Sequence, residues 1–431
     1  MESEIILFVI LMSGAGASIG MFSGLVPGIH VNTLASLMLI SYPLLGSAIS
    51  SFADPAYVPI LLSSCIVSAA VVHSFVSYVP SVFTGVPDQD SVMSVLPGHR
   101  LLLEGKGMVA VRASAIGSLI GAMSAAAVAI PMQYIMFIGL DEYLSSVTAV
   151  VLMIAVVALI LMEDSFRGRI CSVSLLFISG VMGCVCMFMP VPFNGMISGG
   201  ELLFPLLTGL FGIPILISSS AGNEIPEQTD EDHFPVSPSS GLKGVVTGSV
   251  VGWFPGITAT AGAAFTRIFV KEDRPERFIA LVSSIGTAAV IFALITLSVN
   301  GRGRSGTMMV VREILNGSMS GPGNWIFVLM LLSVVIASLI GYLATIYFGR
   351  GFSRFIMKAN IKKMNMTILI VIVFLTLLMT GAWGIAILVI SSMIGMIPLS
   401  AGIGRVHLSG CLLIPVILIQ FDLDVMFLSM F

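Results

Sequence analysis

Charge is what this 431-residue chain has least of: Asp, Glu, Lys and Arg together make up 10% of it. A soluble chain covers its surface with roughly 25% charged residues, so a string of water-soluble domains is excluded, as are disordered and collagen-like chains. A basic excess is also missing. Nineteen Lys and Arg face twenty-two Asp and Glu, leaving nothing to neutralise a phosphate backbone, and nucleic acid is excluded as a partner. Cysteine is scarce, and Cys65, Cys171, Cys184, Cys186 and Cys411 all lie in apolar stretches, where they pack as small hydrophobes and form no disulfide framework. Cys184 and Cys186 sit one residue apart in an expected helix, on different faces, which argues against a metal site there. His-Glu-x-x-His, Gly-x-Ser-x-Gly and paired-Asp patterns are lacking and His numbers five. An intramembrane enzyme is therefore the most remote of the functional readings, and no cofactor is expected beyond a coupling ion.

What the chain has in abundance is hydrophobicity, at 57% of residues and a mean hydropathy of +1.08. Continuous apolar runs occupy 5–24, 58–83, 108–130, 144–162, 170–189, 202–220, 278–299, 325–348, 366–380, 383–399 and 408–421, and two shorter stretches, 27–42 and 242–268, are interrupted by Pro and Gly. Runs without every-second-residue alternation exclude a lipid-facing β-barrel. The expected fold is all-α, a multi-pass protein of the cell membrane with about ten to fourteen passes. The first run follows Glu2 and Glu4 and has no small-residue cleavage signature, so it reads as a span and not as a signal peptide.

Lys and Arg favour the cytoplasmic side of a membrane. The clusters at 100–112, 167–169, 267–277 and 350–363 fall there together when each broken stretch counts as two passes, whereas the cluster at 302–312 does not. That misplacement predicts a segment dipping into the membrane or a cavity. The most hydrophilic run, 221–240, reads as an acidic, solvated linker between a first transmembrane repeat, 1–220, and a second, 241–431.

The two halves resemble each other. GLVPGIHVNTLA from Gly24 and GWFPGITATAGA from Gly252 align without gaps at an offset of 228 residues. Proline removes a helical hydrogen bond and glycine permits close approach, so Pro27-Gly28 and Pro255-Gly256 are expected to break helices at depth. Backbone freed inside a bilayer has to line a protein-walled cavity, where a half-helix N-terminus attracts an anion. Paired interruptions in two halves are a sequence pointer to a transporter's central site. The candidate substrate-binding residues are Pro27, Gly28, His30, Asn32 and Thr33 in the first half. Their counterparts in the second are Pro255, Gly256, Thr258, Thr260, Ser284 and Thr287. The competing reading is close helix packing, in which small and hydroxyl residues act as interface glue; His30 is alternatively an interior histidine or part of a proton path.

A second polar constellation runs from His73-Ser74 to Asp88, Gln89 and Asp90. These acids either cap the helix that follows, where the dipole favours them, or coordinate Na⁺ or carry H⁺ as coupling groups together with His73 and Ser74. Arg100 and Lys106 read first as interfacial anchors. The run Gly301 to Gly306 lacks the Walker pattern, which excludes nucleotide binding there.

GLVPGIHVNTLA, GVPDQDSVMSVLPGHRLLLEGKG, AIGSLIG, GWFPGITATAGA and GRVHLSGCLLIPVIL, in that order along nearly the whole chain, resemble the large membrane subunit of tripartite tricarboxylate transporters, and most of all that family's uncharacterised archaeal branch. The resemblance implies an ion-driven permease for small organic anions such as di- and tricarboxylates, operating with a small membrane subunit and an extracytoplasmic solute-binding protein. It supports Pro27, Gly28, Pro255 and Gly256 as cavity formers and the stretch from Gly85 to Asp90 as a family motif. His30 and Asn32 stand where bacterial members carry Gly-Pro. The resulting expectation is two inverted-topology repeats with an anion held midway and access alternating as the halves rock. Similar paired breaks in polyprenyl-phosphate transporters keep a lipid-carrier cargo open as the alternative, and self-association of the chain is also open.

Overall fold

The computed structural model describes residues 2–26, 29–86, 91–161, 163, 165–188, 202–219, 226–229, 238–253, 259–270, 272, 274–357 and 361–423. No strand occurs among them. The first half contains α1 (Glu2–Leu25), α2 (Val31–Ile40), α3 (Tyr42–Ser50), α4 (Val58–Val76), α5 (Tyr78–Thr84), α6 (Val92–Leu103), α7 (Gly107–Ile135), α8 (Asp141–Leu161), α9 (Phe166–Phe188), α10 (Leu203–Leu207) and α11 (Ile213–Ser219). The second contains α12 (Pro238–Trp253), α13 (Ala259–Phe269), α14 (Pro275–Asn300), α15 (Gly306–Leu315), α16 (Trp325–Met357), α17 (Ile361–Ala401) and α18 (Gly410–Gln420).

Among the described residues seven helices are long and apolar enough to cross a membrane, or eight if α2 and α3, bent by 74°, count as one span. That is fewer than the ten to fourteen passes read from apolar runs. The broken second stretch explains part of the difference: α12 has 16 residues and α13 has 11, each short of the roughly 20 that a span requires. The helices over 203–212 and 405–420 are likewise apolar but too short. The two runs at 366–380 and 383–399 are two helical stretches of α17 joined at Gly381, where the backbone leaves helical geometry (φ 66°, ψ −154°).

Close packing rests on glycines four residues apart. On α1, Gly16, Gly20 and Gly24 press on Cys65, Ala69 and Ser77 around α4; on α12, Gly244, Gly248 and Gly252 press on Leu281, Ala288 and Phe292 of α14. A Cβ added at Gly244 would stand 2.6 Å from the Leu281 carbonyl oxygen. With no apolar-versus-water gain available between helices in lipid, such small-residue seams let backbones meet and dispersion act. The two seams occupy equivalent positions at the same 228-residue offset that relates the Pro-Gly blocks.

The largest core joins α1, α4, α7, α14 and α16. Its pairings come in matched sets: α1 on α4 and α12 on α14; α4 on α16 and α14 on α7; α1 on α16 and α12 on α7; α2 on α15 and α13 on α6. A second core gathers α9, α10, α17 and α18 around Leu175, Leu206, Ile387 and Leu412. Of residues 226–229 in the linker, Pro226, Glu227 and Thr229 are exposed and Gln228 is buried. Gln228 donates to the Leu102 carbonyl at 3.0 Å and accepts from the Gly107 N–H at 2.9 Å, because the turn between α6 and α7 leaves backbone groups that need partners. At 163, between α8 and α9, the Glu163 carboxylate accepts from His407 Nε2 at 2.9 Å and from the Gly404 N–H at 3.1 Å.

Candidate functional site

The site begins at the start of α2. His30 holds extended geometry (φ −80°, ψ 148°) and caps the helix through its own ring: Nδ1 accepts from the Asn32 N–H at 3.2 Å. The Thr33 N–H donates to the His30 carbonyl at 3.1 Å. Capping residues satisfy the donors that a helix start leaves orphaned. The N–H groups of Asn32 and Thr33, expected to face an anion, are therefore already engaged.

Behind His30 lies His73 of α4, 2% exposed, with the two rings edge-on at 4.9 Å. Its Nδ1 is hydrogen-bonded to Ser23 Oγ of α1 at 2.9 Å. Ser74, the next residue, donates to the Val71 carbonyl at 2.8 Å. From the other side, Asn32 Oδ1 accepts from the Thr307 N–H at 3.0 Å. Ser305 caps α15 by accepting from the Met308 N–H at 3.3 Å and lies 3.0 Å from the Thr307 hydroxyl.

These groups border one cavity of about 370 Å³. His30, Asn32, His73, Ser74, Arg304, Ser305 and Thr307 supply polar groups to its wall. Val251 and Gly252, the end of α12, and Ala259, the start of α13, line it too, so the described flanks of both broken stretches open onto the same space. Met187 of α9, Leu203 of α10 and Leu412 of α18 line it as well, so elements of the second core border the same space. The volume falls within the range of about 300–1,000 Å³ that suits small molecules.

Of the sequence candidates, His30, Asn32, His73 and Ser74 come together here. Thr33 and Thr260 are buried in their helices and are not among the lining residues. Ser284 and Thr287 lie elsewhere, in helix seams: Ser284 donates to the Gly241 carbonyl at 2.6 Å and Thr287 to the Ser118 carbonyl at 2.9 Å. Both act there as the hydroxyl glue of close-packed helices. Pro27, Gly28, Asp88, Gln89, Asp90, Pro255, Gly256 and Thr258 lie outside the described residues. No group of three His, Cys, Asp or Glu able to hold a metal occurs among the described residues.

Sequence reasoning did not select Arg304, Ser305 or Thr307. The signal that points to them is the basic cluster at 302–312, whose place in the chain conflicts with the positive-inside rule.

The family described as "Tripartite tricarboxylate transporter TctA family" matches residues 10–410. The "Uncharacterized protein MJ1079" of Methanocaldococcus jannaschii is 27% identical over 359 residues, covering 82% of this chain and 83% of the relative. No solved structure matches.

Proposed function

We propose a function from one premise: this chain belongs to the tripartite tricarboxylate transporter TctA family. It is a multi-pass membrane protein of a transporter family, not of an enzyme family. Our reading is an ion-coupled secondary permease for small organic anions, working by alternating access. A small membrane subunit and an extracytoplasmic solute-binding protein would be its partners, as the family implies. The observation that carries the reading is that the flanks of both broken stretches, 228 residues apart in sequence, border one cavity. Two such breaks around one central space are how inverted-repeat transporters hold cargo.

The helix pairings support two repeats. Exchanging α1 with α12, α2 with α13, α4 with α14, α6 with α15 and α7 with α16 maps the matched sets of contacts onto themselves. The moving parts would be the two cores and not the sequence halves, because the cavity lies where the core of α9, α10 and α18 meets the core of α1, α4 and α14. In this scheme His73, Ser74 and residues 88–90 carry the coupling Na⁺ or H⁺.

The test is uptake of labelled citrate, succinate and simple monocarboxylates into proteoliposomes under an imposed Na⁺ or H⁺ gradient. Uptake that collapses when the gradient is dissipated is the expected result. Failure of every organic anion to move under either gradient would overturn the reading.

A further inference from the structure

Beside the cavity the two halves correspond position by position. Gly16, Gly20 and Gly24 of α1 face Cys65, Ala69 and His73 of α4, and Gly244, Gly248 and Gly252 of α12 face Leu281, Ile285 and Ala289 of α14. The glycines recur after 228 residues and their partners after 216. The same step of 216 carries Gly85, left-handed at the end of α5 (φ 71°, ψ 6°), onto Gly301 at the end of α14 (φ 67°, ψ 14°). Ser91 then stands at the N-cap of α6 and Ser305 at that of α15. α6 is thus the counterpart of α15, as α2 is of α13.

Contacts also give the helix directions. Gly117 faces Ala280, Gly121 faces Ser284 and Gln133 donates to Ser298 at 2.6 Å, so α7 and α14 run parallel. Ser64 meets Met330 and Gly341 faces Phe75, so α4 and α16 run parallel too. Gly349 faces Val111 while Gly323, just before α16, donates to Gln133 at 3.2 Å, which makes α16 antiparallel to α7. The basic clusters at 100–112 and 267–277 lie at the starts of α7 and α14, and the cluster at 350–363 lies at the end of α16. The positive-inside rule puts all three in the cytoplasm. α15, which follows the far end of α14, is then on the opposite side, and α6, which follows α5 and carries Arg100, is on the cytoplasmic side.

α15 packs on α2, and α6 packs on α13. At the first junction the Asn32 side chain holds the Thr307 N–H at 3.0 Å, and both residues line the cavity. At the second, Met93 of α6 packs with Ala259 and Ala263 of α13, and Ala259 lines the cavity. Left-handed joints flank α15, at Gly301 before it and at Asn316 and Gly317 after it (φ 67°, 45° and 80°). Large backbone rotations at a few element-terminal residues are how a hinge works.

We propose that the α2–α15 junction is a gate on the extracytoplasmic side of the cavity, held shut by the bond from Thr307 to Asn32, and that the α6–α13 junction is its cytoplasmic counterpart. α15 swings on its joints when that bond is released. This rests on the alternating-access reading and adds which contact has to open.

The test uses the full chain with Val290→Cys, a residue of the cavity lining, labelled by a membrane-impermeant maleimide in intact cells and in inverted membrane vesicles. Labelling of the five native cysteines in the unmodified chain is the baseline. Asn32→Ala should raise labelling from outside about fivefold, the shift that loss of one hydrogen bond brings, and Asn32→Asp, which keeps an acceptor, should label as the parent does. A Cβ at Gly306 would lie 3.0 Å from that of Asn32, close to disulfide geometry. Oxidising the pair Asn32→Cys with Gly306→Cys by copper phenanthroline should therefore abolish labelling from outside and leave labelling from the cytoplasmic face, and dithiothreitol should restore the first. That comparison lies within one variant and serves if Asn32→Ala fails to fold. Outside labelling unchanged by the oxidised pair would overturn the gate, and loss of labelling from the cytoplasmic face instead would overturn the sides assigned. Labelling needs no cargo, so the two readings fail separately: labelling as expected without uptake of any organic anion strikes the permease and leaves the gate, whereas uptake that persists through the disulfide strikes the gate and leaves the permease.

Discussion

Thr307 donates its backbone N–H to Oδ1 of Asn32, 275 residues earlier in the chain, at 3.0 Å. A donor that α15 would leave orphaned at its N-terminus is satisfied by a side chain from α2, so these two helix starts, both bordering the cavity, are positioned by one another. Gly306 makes the approach possible: a Cβ there would lie 2.8 Å from Asn32 Cγ.

Asn32→Ala is expected to lower stability by about 1–2 kcal/mol through loss of this cap. Asn32→Asp keeps an acceptor and should lose less. Thermal unfolding in detergent would measure both; equal and negligible losses would show that α15 does not depend on Asn32.

The glycine seams predict a position-specific intolerance. Gly248→Leu should prevent α12 from seating on α14, since a Cβ there would already stand 2.6 Å from that of Ala288; overpacking of this kind costs about 1–3 kcal/mol or more. Gly351 on α16 has open space around it, so Gly351→Ala should be tolerated. Yield of monodisperse protein on size exclusion compares the two.

Gly381 interrupts α17 at φ 66° and ψ −154°, a conformation that is essentially reserved for glycine. Gly381→Ala is expected to destabilise by about 1–3 kcal/mol, with hydrogen exchange rising on either side of residue 381. Unchanged exchange would mean that α17 runs through as one rod.

The His407 side-chain hydrogen bond is the largest influence on Glu163 and holds its carboxyl below its ordinary value of 4.5, although burial opposes this. A carboxylate lowered on folding contributes stability that is fully present above its unfolded value and is lost as pH falls through its folded value. The contribution of this carboxylate should therefore be complete at neutral pH, and the melting temperature should fall below about pH 4.5. Glu163→Gln should flatten that acid limb; an identical limb in the variant would assign it to other groups.

The site was partly legible in the sequence. The paired Pro-Gly blocks pointed to His30 and Asn32, which line the cavity, because a helix break and the polar residues after it are written in consecutive positions. Ser284 and Thr287 looked equally suitable, yet they serve helix seams. A hydroxyl on an apolar helix has the same local signature whether it faces a cavity or a neighbouring carbonyl. Arg304 was legible only indirectly, through a charge cluster on the wrong side of the count.

Membrane residence, helical class and the existence of two breaks were determined by the sequence alone, since run length, hydropathy and proline geometry act over a few turns of chain. Only the tertiary structure decided that the flanks of both breaks open onto one cavity, that Arg304 lines it, and that α9, α10 and α18 contribute apolar residues to its lining. Those outcomes depend on which faces meet across more than two hundred residues, and in lipid that choice is made by close packing at glycine seams and by hydrogen bonds such as Asn32 to Thr307, not by hydrophobicity, which every helix here shares.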